Sequence, residues 1–587
     1  MLIVCIIGHK NGDSKCMSHP RKRRQYPNSL SSPVSKRTRS STSDFSIPGF
    51  TLPVGPKKEQ QHHVVPTYRR PGQYLGRNVA VDDAMMLTSP TNEISAVSSA
   101  ECRLLKDQGA LTLPPEQVQT DLIATFIDFG HVWTPVIDSA WLDTPKPSLL
   151  LLQSIFVAAS RLTTQPNEYG STADFYRRAK LLFFFGNERN ALISIASAIL
   201  LSWYSPVGPE TVATDTSAFW LRTAESIAFQ IGLHKEPAVT DPQRALRRRI
   251  WWTLVLLDCI TSATLGRPQS INPSDSASNM QPPTLDDFTT QDLPARTFPV
   301  YVSIAQLLGT IAQRRLRRDL WPEHTRTLET SLFRWVKHDF PTISGPSLSS
   351  SLETRQVLVM YFASLILLDR PQGQGPSTDS PLAVRSLLCA SFIVGIYRNF
   401  LEKDELCRLG PASPFYALVA GLVLIPTYKT EPLWETANED TVILKACLQI
   451  LSKQWGAAIS ALRTLQKLSD DALSHFPPTG AETELKIPRL GDETRPFFEG
   501  FDRRWCRLWG PIVDRTHEGG VSDLNGSLRS ILDNYAASRP WGDVPRPADV
   551  PEVEAEALDA LRGGGGGTSA WEGGLGGEWL LEGGSSL

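Results

Sequence analysis

The stretch IWWTLVLLDCITSATL, Ile250–Leu265, is apolar nearly all round and holds no glycine or proline. A helix without a polar face has to be covered on most sides by other elements. With the arginine-rich turn that precedes it, the stretch predicts a helix over 243–264 and demands further helices to surround it. The chain supplies them. Trp220, Leu221, Ala224, Ile227, Ala228 and Ile231 follow the spacing i, i+1, i+4, i+7, i+8, i+11, one apolar face at a period of 3.6. Gly232 stands where a left-handed C-cap belongs, Leu233 follows to close the hydrophobic contact, and Pro237 keeps the helix from resuming. Further helices are predicted at 149–162, 175–185, 188–204, 299–318, 354–369, 382–402, 414–426 and 441–468. There is no convincing strict alternation, no hairpin dipeptide between β-rich runs and no repeat of fixed period. The expected fold is all-α, a helical domain flanked by disordered N- and C-terminal segments.

At 587 residues the chain has room for two or three domains, and 41% hydrophobic residues suffice for a large core. Net charge is only −2, but its distribution is uneven. Residues 1–60 carry eleven Lys/Arg against three Asp/Glu; residues 541–587 carry nine Asp/Glu against two Arg. A basic head and an acidic tail on a neutral body imply separate roles for the ends. Residues 25–115, rich in Ser, Pro, Thr, Arg and Gln, read as a disordered linker. Residues 116–535 read as the helical body. Residues 536–587 read as a disordered, acidic, glycine-rich tail, because frozen glycine backbone costs too much entropy to build a core.

The eight cysteines form no CxxC pair. Cys259 and Cys389 sit in apolar, helix-like stretches, where a thiol serves as a small hydrophobe in a reducing compartment. The opening MLIVCII is too short for a signal peptide or a membrane span, and the longer apolar runs are interrupted by polar residues, so no membrane association is expected.

Several segments, in order, carry a family resemblance: FIDFGHVWTPVIDSAWL (126–142), LLLLQSIFVAASRL (149–162), FYRRAKLLF (175–183), ALISIASAILLSWYSPVGPE (191–210), FWLRTAESIAFQIGLHKEP (219–237), RRRIWWTLVLLDCITSATLGRPQSIN (247–272), PPTLDDF (282–288) and YFASLILLDRP (361–371). The set resembles the middle regulatory region of fungal zinc-binuclear-cluster (Zn(2)-Cys(6)) transcription factors, over roughly 120–470. GLHKEP, RRRIWW and LGRP at these spacings are the specific part. The resemblance implies a nuclear regulator of RNA polymerase II genes, nearest to regulators of cutinase or secondary-metabolite genes. The physical reading of the same residues is structural. Trp251 and Trp252 bury large area and need indole partners. Arg247, Arg248 and Arg249 oppose the macrodipole at a helix start, so carboxylates or carbonyls elsewhere should hold them. Arg267 looks like a guanidinium fork tying a loop to the body, and His234 like a packing or capping histidine.

Family members carry six cysteines sharing two zinc ions, beside a basic DNA-reading helix. Here residues 1–24 look like the end of such a module followed by a basic segment. Cys16 matches the sixth ligand and Cys5 the fourth, while the fifth falls on Gly8. Two thiolates do not hold a binuclear cluster, so zinc is expected for the intact family module and not for the chain as written. Either the start is misplaced, or the protein lacks the module and regulates through other proteins. His9 and His19 could complete a mononuclear site with the two cysteines, at a spacing that matches no familiar zinc site. Two basic clusters follow, Arg21, Lys22, Arg23, Arg24 and then Lys36, Arg37, Arg39, suited to nuclear import or phosphate contact.

The tail mixes acids with Trp571, Trp579, Leu580 and Leu581, a composition shared with segments that engage the transcription machinery. Beyond DNA and that machinery, the expected partners are a second copy or a related chain; no heptad run follows the basic clusters. A remote alternative is an all-α enzyme of terpene-synthase type, suggested by Asp286–Asp287. DDFTTQD places its third acid too late for a compact metal cluster, and no other catalytic motif stands out. No enzyme activity is expected. The helical body is expected to restrain or license the tail, on sensing a small molecule between helices.

Overall fold

The computed structural model describes residues 97–163, 169–186, 188–272, 279–344, 351–370, 384–474 and 490–514. All of them are helix, turn or irregular chain, with no strand among the described residues. The elements are α1 (Ser99–Asp107), α2 (Glu116–Phe129), α3 (Ser139–Leu142), α4 (Leu149–Ser160), α5 (Thr172–Phe185), α6 (Ala191–Leu201), α7 (Ser217–Gln230), α8 (Arg244–Leu265), α9 (Leu293–Arg317), α10 (Pro322–Arg334), α11 (Leu352–Asp369), α12 (Val384–Glu402), α13 (Ser413–Leu424), α14 (Glu431–Leu451) and α15 (Gly456–Ser474).

Local sequence sets most of the ends. Side-chain oxygens of Ser148, Ser171, Asn190, Thr216, Asp292 and Ser351 cap α4, α5, α6, α7, α9 and α11. The stop after α7 is the predicted one. Gly232 has φ +66°; its N–H donates to Phe229 O at 3.1 Å, and Leu233 N–H donates to Ala228 O at 2.9 Å. That pair of bonds is a Schellman motif, closed by fully buried Leu233.

The apolar helix α8 is buried as its sequence demands: Ile250, Leu254 and Leu256 have no exposed surface, and Trp251 has 2%. Its principal neighbour α9 runs parallel to it. Ser262 Oγ and Gln313 Nε2 meet at 2.6 Å, and one turn earlier Cys259 faces Gly309. A Cβ at Gly309 would lie 2.8 Å from Cys259 Cβ and 2.5 Å from Gln269 Nε2, so only glycine allows this approach. Further along the chain, Phe362 of α11, Phe392 of α12 and Phe498 of the 3-10 turn Arg495–Phe498 stack with ring centroids 4.9–6.4 Å apart. Helix α12 is long and apolar enough to cross a membrane, but most of it is buried within the protein, as in the core helix of a folded domain.

Four expectations need correction. The folded body begins before residue 116: α1 lies inside the stretch expected to be disordered, held by a Ser98–Glu101 capping box and by Leu105 packed with Leu150 and Leu182. The single helix expected over 441–468 is two. α14 begins at Glu431 and ends at Leu451, where Trp455 turns inward beneath the Arg161 guanidinium, 4.7 Å from its ring, and Gly456 N–H bonds Ser205 O. Long-range packing overrides the local pattern there. Helix α10 was not expected; Pro322 occupies its first turn, and it buries only Leu328 and Leu332 before passing into a π turn at Trp335–Asp339. Arg267 is exposed, and it is its backbone carbonyl, not its guanidinium, that ties the loop, accepting from Ser262 Oγ at 2.7 Å and Gln313 Nε2 at 3.2 Å.

Candidate functional site

The residues singled out for zinc and import, Cys5, Cys16, Arg21, Lys22, Arg23, Arg24, Lys36, Arg37 and Arg39, lie outside the described residues, as do Trp571, Trp579, Leu580 and Leu581 of the tail. Among the described residues no three His, Cys, Asp or Glu side chains are grouped to hold a metal ion. What the structure does assemble is a buried frame of arginines and carboxylates at the start of α8.

Arg248 is its centre. Arg248 stands one turn into α8 and is 97% buried as a side chain. The cost of burying its charge is met by anions. Nε donates to Asp287 Oδ1 at 2.7 Å, Nη1 to Glu236 Oε2 at 2.7 Å and Oε1 at 2.8 Å, and Nη2 to the Pro282 carbonyl. Glu236 also accepts from Arg244 at 2.7 Å and from Gln281 N–H at 2.9 Å. These bonds outweigh partial burial and hold Glu236 below the usual carboxylate range. Asp287 accepts from Thr284 N–H at 2.8 Å, closing the 3-10 turn Leu285–Asp287.

Arg249 works through carbonyls. It donates to Pro135 O at 3.0 Å, Ile137 O at 3.3 Å and Asp287 O at 2.9 Å, with its guanidinium 5.5 Å from the Phe288 ring. Burial pushes its pKa down, with Asp138 and Asp287 acting against that. Arg247 donates to Ile231 O at 3.4 Å and pairs with Asp241 at 3.8 Å. Trp252 Nε1 donates to Gln281 O at 2.7 Å. Three successive arginines thereby bind the chain near 135, near 236 and near 287 to one helix end. His234 packs between Phe229 and Trp251, centroids 5.2 and 6.1 Å away, as a packing histidine does.

A second cluster lies two to three turns along α8. Arg222 bridges Glu225 and Asp258, each at 2.6 Å. Asp258 Oδ2 accepts from Ser270 N–H at 3.0 Å and Ile271 N–H at 2.9 Å, fixing the loop after α8. Burial, then the charge of Asp258, raises Glu225 to about 7 despite Arg222. This cluster was not anticipated from the sequence. Its signal was present: Asp258 is the one charge in an apolar run, and Glu225 falls beside Ala224 and Ala228 on the buried face of α7. Asp287, which with Asp286 formed the acidic pair suggestive of a metal-binding enzyme, is 2% exposed and bound to Arg248. The arrangement is a positioning frame that fixes loops against α8.

Residues 124–298, which contain both clusters, match the family model described as fungal specific transcription factor domain. The chain is 27% identical over 402 residues to cutinase transcription factor 1 alpha of Fusarium vanettenii, covering 61% of this chain and 43% of that protein. It is 31% identical over 198 residues to the acetamidase regulatory protein of Emericella nidulans, covering 32% and 24%. It is 29% identical over 205 residues to transcription factor cpaR of Aspergillus oryzae, covering 31% and 33%. The chain thus spans less than half the length of these curated relatives. No solved structure matches.

Proposed function

We propose that the chain, whose residues 124–298 match the fungal specific transcription factor domain, regulates transcription of RNA polymerase II genes in the nucleus. The observation that carries this reading is the family match over 124–298 coinciding with the buried arginine–carboxylate frame, whose residues lie in the GLHKEP, RRRIWW and PPTLDDF segments. Two of these relatives are named as transcription factors and one as a regulatory protein, which supports a regulator over the enzyme alternative.

The finer assignments rest on the sequence. Arg21, Lys22, Arg23, Arg24, Lys36, Arg37 and Arg39 serve nuclear import or phosphate contact. Cys5 and Cys16 stand at zinc-ligand positions of the family module. Trp571, Trp579, Leu580 and Leu581 are the anchors through which the acidic tail meets the transcription machinery. Two of the relatives are named for cutinase and acetamidase genes, which favours a catabolic gene set.

Deletion of the gene, with transcript profiling and imaging of a tagged full-length chain, tests the role. Nuclear accumulation and a coherent set of altered transcripts are expected; a cytoplasmic protein whose loss leaves transcripts unchanged contradicts it. Zinc content and salt-dependent DNA binding of the purified chain test the assignments of Cys5, Cys16 and the basic clusters: bound zinc and an affinity that falls steeply with salt are expected if they hold, and neither is expected if they do not.

A further inference from the structure

Three helices end at one corner of the body. Because α8 and α9 run parallel, Gly266 and Arg318 close them side by side, both with left-handed backbone. α11 ends there as well, since Arg315 Nη1 donates to Arg370 O at 2.6 Å. Gln313 Nε2 touches Arg267 O, and Arg317 lies one turn beyond Gln313 on the same face of α9. The corner therefore gathers Arg267, Arg314, Arg315, Arg317, Arg318 and Arg370.

Helix C-termini attract cations, but three of them supply only about 1.5 negative charges together. The nearby carboxylates are already engaged: Asp319 faces Arg314 at 3.6 Å, and Asp369 is held by Arg385, which also bridges Glu329. Arg267, Arg317 and Arg318 are exposed, and no carboxylate among the described residues pairs with them. Arg370 is half-buried and pushed down by burial alone, with no carboxylate offsetting it. Burial and then the charge of Arg370 push Arg315 to about 10. Beside these guanidiniums stand two apolar side chains open to solvent, Leu316 at 38% and Trp321 at 59% exposure.

A duplex phosphate backbone calls for the charges alone. Charges with an exposed tryptophan and leucine suit a partner that carries carboxylates and apolar anchors in one short segment. This chain has such a segment. Within residues 541–587, Trp571, Trp579, Leu580 and Leu581 alternate with Glu572, Glu578 and Glu582. The stretch from Asp514 to Trp571 spans about 190 Å when extended, enough to reach any face of the body. We propose that the acidic tail docks on this corner, its carboxylates on Arg267, Arg317 and Arg318 and its tryptophans against Trp321 and Leu316. The docking holds whether or not the chain acts in transcription.

Hydrogen exchange on the full-length protein tests it. At low salt, amides around 571–582 should exchange about tenfold more slowly than in the free peptide of the same sequence. At ~1 M salt, where the Debye length is about 3 Å, that protection should fall. The R267Q/R317Q/R318Q variant should lose it too, with its helical circular dichroism unchanged. Should that variant melt early, E572Q/E578Q/E582Q leaves the body untouched and should lose the protection equally. Tail amides that exchange at the free-peptide rate in the unmodified protein overturn the proposal, as does protection that survives the glutamine substitutions. A mixed-sequence DNA duplex that protects 314–321 while the tail stays unprotected also overturns it and assigns the corner to phosphate.

Discussion

Arg248 Nε and Asp287 Oδ1 lie 2.7 Å apart, both side chains within 3% of full burial, and they join the start of α8 to a turn 39 residues away. Desolvating such a pair is expensive, and removing one partner strands the other. Arg248→Ala should destabilise the protein by about 3–5 kcal/mol and Asp287→Asn by less, because Glu236 still neutralises Arg248. Denaturant unfolding of the two variants checks the order. Equal, sub-kilocalorie losses would show that the frame contributes little.

Glu225 predicts a pH dependence of definite sign. Its folded pKa, about 7, lies above the ordinary glutamate value of 4.5, so the folded state holds a proton that the unfolded state has released. This carboxyl favours folding below about pH 4.5, and that contribution is lost as pH rises towards 7, on the order of 3 kcal/mol at most. Buried Asp440, raised to about 6, acts in the same direction, whereas His131, lowered to about 4, stabilises as pH rises from 4 towards 6.5. Comparison of wild type with Glu225→Gln isolates the first group. The variant should gain stability relative to wild type between pH 5 and 8; parallel curves would remove Glu225 as a titrating group.

Gly309→Ala places a methyl group against Cys259 and Gln269. The gain in helix propensity, about 1 kcal/mol, opposes an overpacking cost of about 1–3 kcal/mol. A net loss is expected, because Cys259 is fixed within α8 and cannot retreat as the amide end of Gln269 can. A melting temperature above that of wild type for this variant would show that α8 and α9 separate freely.

Thiol reactivity should divide the described cysteines. Cys102 is exposed, whereas Cys259, Cys389, Cys447 and Cys506 are buried and burial pushes each thiol up. Labelling of the native protein followed by peptide mapping should modify Cys102 at once and these four only on unfolding. Rapid labelling of Cys389 in the native state would contradict the packing of α12.

The fold was legible where one pattern dominated. The uniform apolar surface of α8 requires burial whatever surrounds it, and the glycine after α7 stops that helix by backbone geometry alone. The break between α14 and α15 was not legible, because it depends on Arg161 drawing in Trp455 from nearly three hundred residues away. The start of α1 was obscured by the polar sequence around it; only Leu105 is buried, and its cap was a Ser–x–x–Glu signal of four residues. At the site, three successive arginines at 247–249 beside an apolar helix announced that they needed partners, but Glu236 and Asp287 could not be chosen among many acids without the path of the loops.

The role itself is tested most directly by chromatin immunoprecipitation of the tagged, full-length chain in its own cells, combined with the transcript changes caused by its deletion. Enrichment should concentrate upstream of the genes whose transcripts shift, directly or through a bound partner. Even coverage of the genome, with no transcript altered by the deletion, would contradict a regulator of transcription.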